Sequence, residues 1–163
     1  KNISLKKLFL LLVLASVFFG YVSLRVNQSR YIHEPRLSFG DTDGYLEIAS
    51  RPLFSLGFWF SQRPPGVPLF FKLFQNNPER IFKAQLWLSI FAWGFLALVV
   101  QKCIRSYWLK PLVFTILLAF SLSQDIILWD PLILSDSISV SLLAVFIGVS
   151  LLLILEWNRY RYF

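Results

Sequence analysis

The sequence predicts an all-α integral membrane protein of about four transmembrane helices, with short interfacial helices in a long first extracytoplasmic loop. Three observations carry this prediction. Only 15% of the 163 residues are charged, where a soluble domain has about 25%. The apolar residues, 56% of the chain, gather into long uncharged runs and give a mean hydropathy of +0.62. The lysines and arginines behind the net charge of +7 mostly flank those runs instead of forming a patch, which fits membrane topology and argues against nucleic acid as a partner. The single cysteine, Cys103, allows neither an internal disulfide nor a thiolate metal site. The single histidine, His33, excludes a His-rich metal cluster.

The elements follow in chain order, within one transmembrane domain covering 1–163. "LFLLLVLASVFFGYVSL", 8–24, is the first span. Its basic start also fits a signal peptide, but it is long enough to span and has no clean small-x-small cleavage site. A polar loop over about 25–83 holds most of the prolines and acids. The second span covers 84–103, and its helix is read from Pro78, because Asn77 is a good N-cap, Pro78 a good first residue and Glu79 suits the positive helix end. After the basic "KCIRSYWLK", a third span is expected over 112–129, although "SLSQD" interrupts its apolarity. The fourth covers 132–155.

Basic residues at the N-terminus, in the second connection and at Arg159 and Arg161 put both termini in the cytoplasm and the first loop outside, as in a bacterial inner or plasma membrane. Trp59, Trp87, Trp108, Trp129 and Trp157 fall near run ends, as an aromatic belt would place them.

The candidate chemistry lies in the first loop and the last hairpin. Tyr45, Ile48 and Ala49 have helical spacing and Pro52 stops the pattern, so "DGYLEIAS" reads as a short surface helix; "PLFFKLF" reads as a second. Asp41 and Asp43 stand at the entry to the first. One of them is expected to cap it. In an extended loop, side chains two apart point the same way, so the pair could hold a divalent cation or supply a general base. In "QRPPGVPLF", Pro64 and Pro65 fix an extended backbone and Gly66 permits a sharp turn. Arg63 is then held on a stiff segment, suited to bidentate binding of a phosphate or to snorkelling among headgroups. Asp125 and Asp136 lie within apolar runs, about one to two turns from a hairpin tip at Asp130-Pro131. A buried aspartate costs about 2.5–3.5 kcal/mol and needs a partner or a wet cavity. Ser139 and Ser141 read as small-residue packing positions.

"GDTDGYLEIA", "RPPGVPLF" and "LILSDSISVSL", in that order, make the chain similar to the N-terminal part of the GT-C membrane glycosyltransferases, which include protein O-mannosyltransferases and the aminoarabinose transferase of lipid A. The matching positions are Asp41, Tyr45, Ala49, Arg63 through Gly66, Pro68, Asp136 and Ser137. Val67 stands where an aromatic is usual and Asp136 where Glu is common. Such enzymes have more spans than this chain, so the resemblance implies the N-terminal part of a larger protein. It also implies an inverting-type transfer of sugar from a polyprenyl-phosphate donor to a glycan, lipid or protein acceptor. Asp41 would be the general base, with Asp43 assisting or sharing a metal. Arg63 would neutralise the leaving phosphate, and Tyr45 and Asp136 would help bind substrate. Two other readings stand beside it: a non-catalytic membrane subunit, and a small ion-coupled transporter using Asp125 and Asp136.

Overall fold

The computed structural model describes residues 5–30 and 41–161, with side chains for 5–29 and 41–157. The described residues form α1 (Leu5–Arg30), α2 (Asp41–Ser50), α3 (Leu56–Trp59), α4 (Gly66–Leu73), α5 (Pro78–Cys103), α6 (Leu109–Ser121), α7 (Gln124–Trp129) and α8 (Ser135–Arg161), with no strand among them.

Among the described residues, three helices are long and apolar enough to cross a membrane: Leu5–Ser29, Pro78–Cys103 and Ser135–Trp157. The third expected span, 112–129, is not one helix. α6 has 13 residues, about 20 Å at the helical rise. The chain then breaks at Leu122 and Ser123 before α7. The serines explain the break. Ser121 Oγ donates to the Leu118 carbonyl (2.8 Å), a back-bond that bends a helix end. Ser123 takes an extended conformation at the start of α7. α1 also runs further than its apolar stretch, so Arg25 belongs to the helix and not to the loop.

α5 begins where its cap requires. The Asn77 side chain accepts from the Arg80 amide (3.1 Å), and Pro78 opens the helix. The chain enters this cap through Gln75 and Asn76, both left-handed (φ 59° and 54°). The Asn76 amide donates to the Phe71 carbonyl (3.0 Å), closing the end of α4. The sharp turn expected at Gly66 is therefore found ten residues later, because Gly66 is helical and Pro65 already has αR geometry (φ −70°, ψ −14°).

The helix directions follow from paired contacts. Tyr107 donates to the Lys6 carbonyl at one end of α1, and Tyr21 meets Ser121 near the other (3.0 Å), so α1 and α6 run parallel. Phe18 packs on Gly94 while Arg25, further along α1, reaches Ser89, so α5 runs the opposite way. Phe95 packs on Gly148, and α8 runs alongside α5 in the same direction. Both glycines are needed for close approach, since a Cβ at 94 would lie 2.5 Å from the Phe18 ring and one at 148 would lie 2.6 Å from Phe95. α5 is the central helix: half of its apolar window is buried, against 11% for α1 and 22% for α8.

The outward faces are apolar. Leu11, Leu12 and Phe19 on α1, Phe91 on α5, Ile116 on α6, and Leu143 and Phe146 on α8 are all exposed. A surface this apolar belongs in a bilayer. The five run-end tryptophans are exposed as well, whereas Trp93 is buried against Phe120.

α2 and α4 form a small cover at one end of the bundle. Tyr45, Ala49 and Phe71 pack with Ile81 of α5, Ile138 of α8 and Ile133 between α7 and α8. Lys72 of α4 donates to the Ala49 and Arg51 carbonyls (2.9 and 2.7 Å), placing a cation on the negative end of α2. The irregular segment before α8 is held from both sides. Thr42 Oγ1 donates to the Ile133 carbonyl (3.0 Å), and Gln85 Nε2 to those of Leu132 and Leu134 (3.3 and 3.1 Å). Non-helical backbone buried among helices requires this kind of satisfaction.

Candidate functional site

Among the described residues, two arginine–aspartate clusters lie at the covered end of the bundle, apart from the exposed pair of Arg51 with Glu47 of α2. The first is on its surface. Asp41 opens α2, and Arg63, between α3 and α4, donates to its carboxylate. The guanidinium lies 5.0 Å from the centre of the Tyr45 ring, within cation–π range. Tyr45 is itself buried, edge-on to Phe71 (6.1 Å). Asp41, Gly44 and Tyr45 occupy positions i, i+3 and i+4 of one helix, so they share a face. The arginine lies across that face, its Nε 3.8 Å from where a Cβ at residue 44 would stand. Ser61 Oγ donates to the Arg63 carbonyl (2.8 Å) and fixes the backbone that carries it. The hydrogen bond with Asp41 pushes the Arg63 guanidinium above its usual value, so it stays charged. Of five N–H donors, one is committed to Asp41. The pair is open to solvent, with side chains 35% and 57% exposed.

Asp43 does not join this cluster. An extended loop would point both aspartates the same way, but they are in the first turn of a helix, where residues two apart do not face each other. Asp41 also already holds a guanidinium. No group of three or more His, Cys, Asp or Glu that could hold a metal occurs among the described residues. This donor set does not fit a divalent ion between Asp41 and Asp43. The capping expected of Asp41 or Asp43 is not what α2 shows: the helix begins at Asp41, so both aspartates stand within its first turn, where the helix end favours negative charge, and residue 40 before it lies outside the described residues.

The second cluster lies beneath, in the bundle. Arg25 of α1 donates to Asp130 (2.5 Å), to Ser89 Oγ of α5 (2.8 Å) and to the Ser121 carbonyl of α6 (3.4 Å). Ser137 of α8 donates to the other Asp130 oxygen (3.2 Å). The paired side chains are only 1% and 5% exposed. A cavity of about 110 Å³ adjoins them, lined by Ser89, Asp125, Asp130, Ser137 and Ser141 among others. That is room for water with polar partners.

The buried acid is thus the hairpin tip, Asp130. Asp125 is exposed and Asp136 is half-buried on the first turn of α8, because the break after α6 brings the tip inward. Asp136 is not a hydrogen-bond partner of Arg63, which bonds Asp41. Sequence reasoning missed Arg25 altogether. Its one visible signal was a cation at the end of an apolar run, which reads equally well as a flanking charge.

Fold and site define a helical membrane protein that carries an open Arg–Asp–Tyr cluster above a sealed Arg–Asp pair. Comparison with family models, with curated proteins and with solved structures finds no match for the chain.

Proposed function

We propose that the protein transfers a sugar from a polyprenyl-phosphate donor to an acceptor on the extracytoplasmic side of the membrane, with Asp41 and Arg63 as its reacting pair. The observation that carries this reading is the Asp41–Arg63 contact over Tyr45. Residues 22 apart in sequence meet on an exposed surface beside an apolar bundle, where a lipid-borne phosphate and a water-borne acceptor could both arrive.

The chemistry follows from the groups. The Asp41 carboxylate accepts a proton from the acceptor hydroxyl or amine. The freed lone pair attacks the anomeric carbon opposite the leaving group. The carbon–oxygen bond to phosphate breaks with its electron pair going to the phosphate, and the configuration inverts. Arg63, planar and always charged, exchanges Asp41 for the donor phosphate, which frees the carboxylate to act at the opposite face of the sugar, and it offsets the charge that develops on the phosphate. Tyr45 sets the guanidinium plane from below. No step in this scheme requires a metal.

The test is in-vitro transfer with polyprenyl-phosphate-sugar donors, using membranes that contain the complete gene product. Asp41→Asn is expected to lower the rate about 10²–10⁴-fold, the usual contribution of a positioned base. Chelator is expected to leave the rate unchanged. Full activity in Asp41→Asn would remove the proposal.

A further inference from the structure

We propose that a groove between α4 and α5 holds an anionic glycerophospholipid of the surrounding leaflet, with its phosphate on Arg80 and Lys83 and an acyl chain against Phe70, Phe74, Trp87 and Leu88. The groove has a volume of about 570 Å³ and an almost wholly apolar lining apart from these two cations. It shares no residue with the Asp41–Arg63–Tyr45 cluster, so the inference stands independently of the transferase reading.

Its depth profile matches a lipid. Arg80, Lys83 and Trp87 follow one another at helical spacing of three and four, which sets them in one stripe along α5. The stripe runs from charge, through indole, to the Phe91 ring stacked on Trp87 (5.7 Å between centroids, 26° between planes). From Arg80 to Phe91 is about 16 Å at 1.5 Å per residue. That is the order of headgroup, interface and hydrocarbon. Trp87 and Phe91 are exposed, so the stripe faces outward and not into the bundle.

The charge is available. Arg80 donates to the Gln75 side chain, which sits in the rigid left-handed turn before α5; that bond anchors the guanidinium while leaving other donors free. Neither Arg80 nor Lys83 is in an ion pair among the described residues, although Glu79 is adjacent in sequence. Two cations one helical turn apart, above a groove walled by aromatic rings, favour a lipid of net negative charge over a zwitterionic one, whose phosphate is already offset by its own ammonium.

Native mass spectrometry of the full chain in mild detergent tests the assignment, with phosphatidylglycerol and phosphatidylcholine of identical acyl chains at equal concentration. Phosphatidylglycerol is expected to stay bound at energies that strip phosphatidylcholine. Arg80→Gln/Lys83→Gln should lower its occupancy about tenfold and leave phosphatidylcholine unchanged. Lys110→Gln, at the opposite end of the bundle, should match the parent protein. Trp87→Ala, with both cations intact, should shorten retention but keep the headgroup preference. Equal retention of the two lipids by the parent protein would overturn the proposal, as would retention of phosphatidylglycerol that ignores the double substitution. Displacement of phosphatidylglycerol by polyprenyl monophosphate, lost in the same double variant, would assign the groove to a donor tail instead and equally overturn it.

Discussion

The two arginine–aspartate pairs use the same groups in opposite settings. Arg63 and Asp41 meet at the surface, with about a third and over half of their side chains exposed. Arg25 and Asp130 meet in the bundle, where almost nothing of either is exposed. Water and salt screen the first, so it contributes little to holding the fold together and exchanges readily with an incoming anion. The second is shielded from bulk solvent, with only a small polar cavity beside it. It joins α1, α5, α6 and the segment before α8 at one point, and breaking it would leave an uncompensated charge among apolar helices. Arg25 Nε is buried with no partner among the described residues, so the desolvation of this pair is only partly offset. On the proposed transferase reading, the surface pair reacts while the buried pair fixes the scaffold beneath it.

Substitutions can break this comparison or sharpen it. Arg25→Met should have the largest effect on stability, lowering it by about 3–5 kcal/mol by leaving Asp130 buried and unpaired; thermal melting in detergent would measure this. Arg25→Met/Asp130→Leu should recover most of that loss, since removing both charges removes the desolvation as well. A double variant as unstable as the single one would mean that the contact supplies more than charge balance. Ser89→Ala deletes one hydrogen bond to the guanidinium and should cost about 1.5–3 kcal/mol. At the small end, Asp41→Asn and Arg63→Gln should melt with the parent protein, however far activity falls. If instead they melt well below it, the surface pair is part of the scaffold and the contrast fails.

How legible each region was in the sequence depended on how local its determinants are. α5 could be read to its first residue because the Asn77 cap, Pro78 and Glu79 act within a single turn. α2 was visible in the spacing of Tyr45, Ile48 and Ala49, all of which turn out buried. α3 left too short a pattern to see, with only Phe58 buried. The break within the third expected span is hard to read because apolarity is a long-window signal, while Ser121 and Ser123 act locally to end one helix and begin another. Arg63 was singled out for the stiffness of its segment, and the fold brings it to Asp41. The direction of the Asp43 side chain is not legible in sequence, because it depends on whether residues 41–43 are extended or helical.

The sequence by itself determined that this chain is helical, that long apolar faces need a bilayer, where α5 starts, and which exposed loop concentrates carboxylates and arginines. These follow from composition, period and capping, each acting over a few residues. Only the tertiary structure decided which charges pair. Arg25 and Asp130 are 105 residues apart, and nothing near either one names the other. Their pairing depends on which helices are neighbours and at what depth, and that is set by the packing of whole faces: Phe18 on Gly94, Phe95 on Gly148, and the cover of α2 and α4 over the end of the bundle.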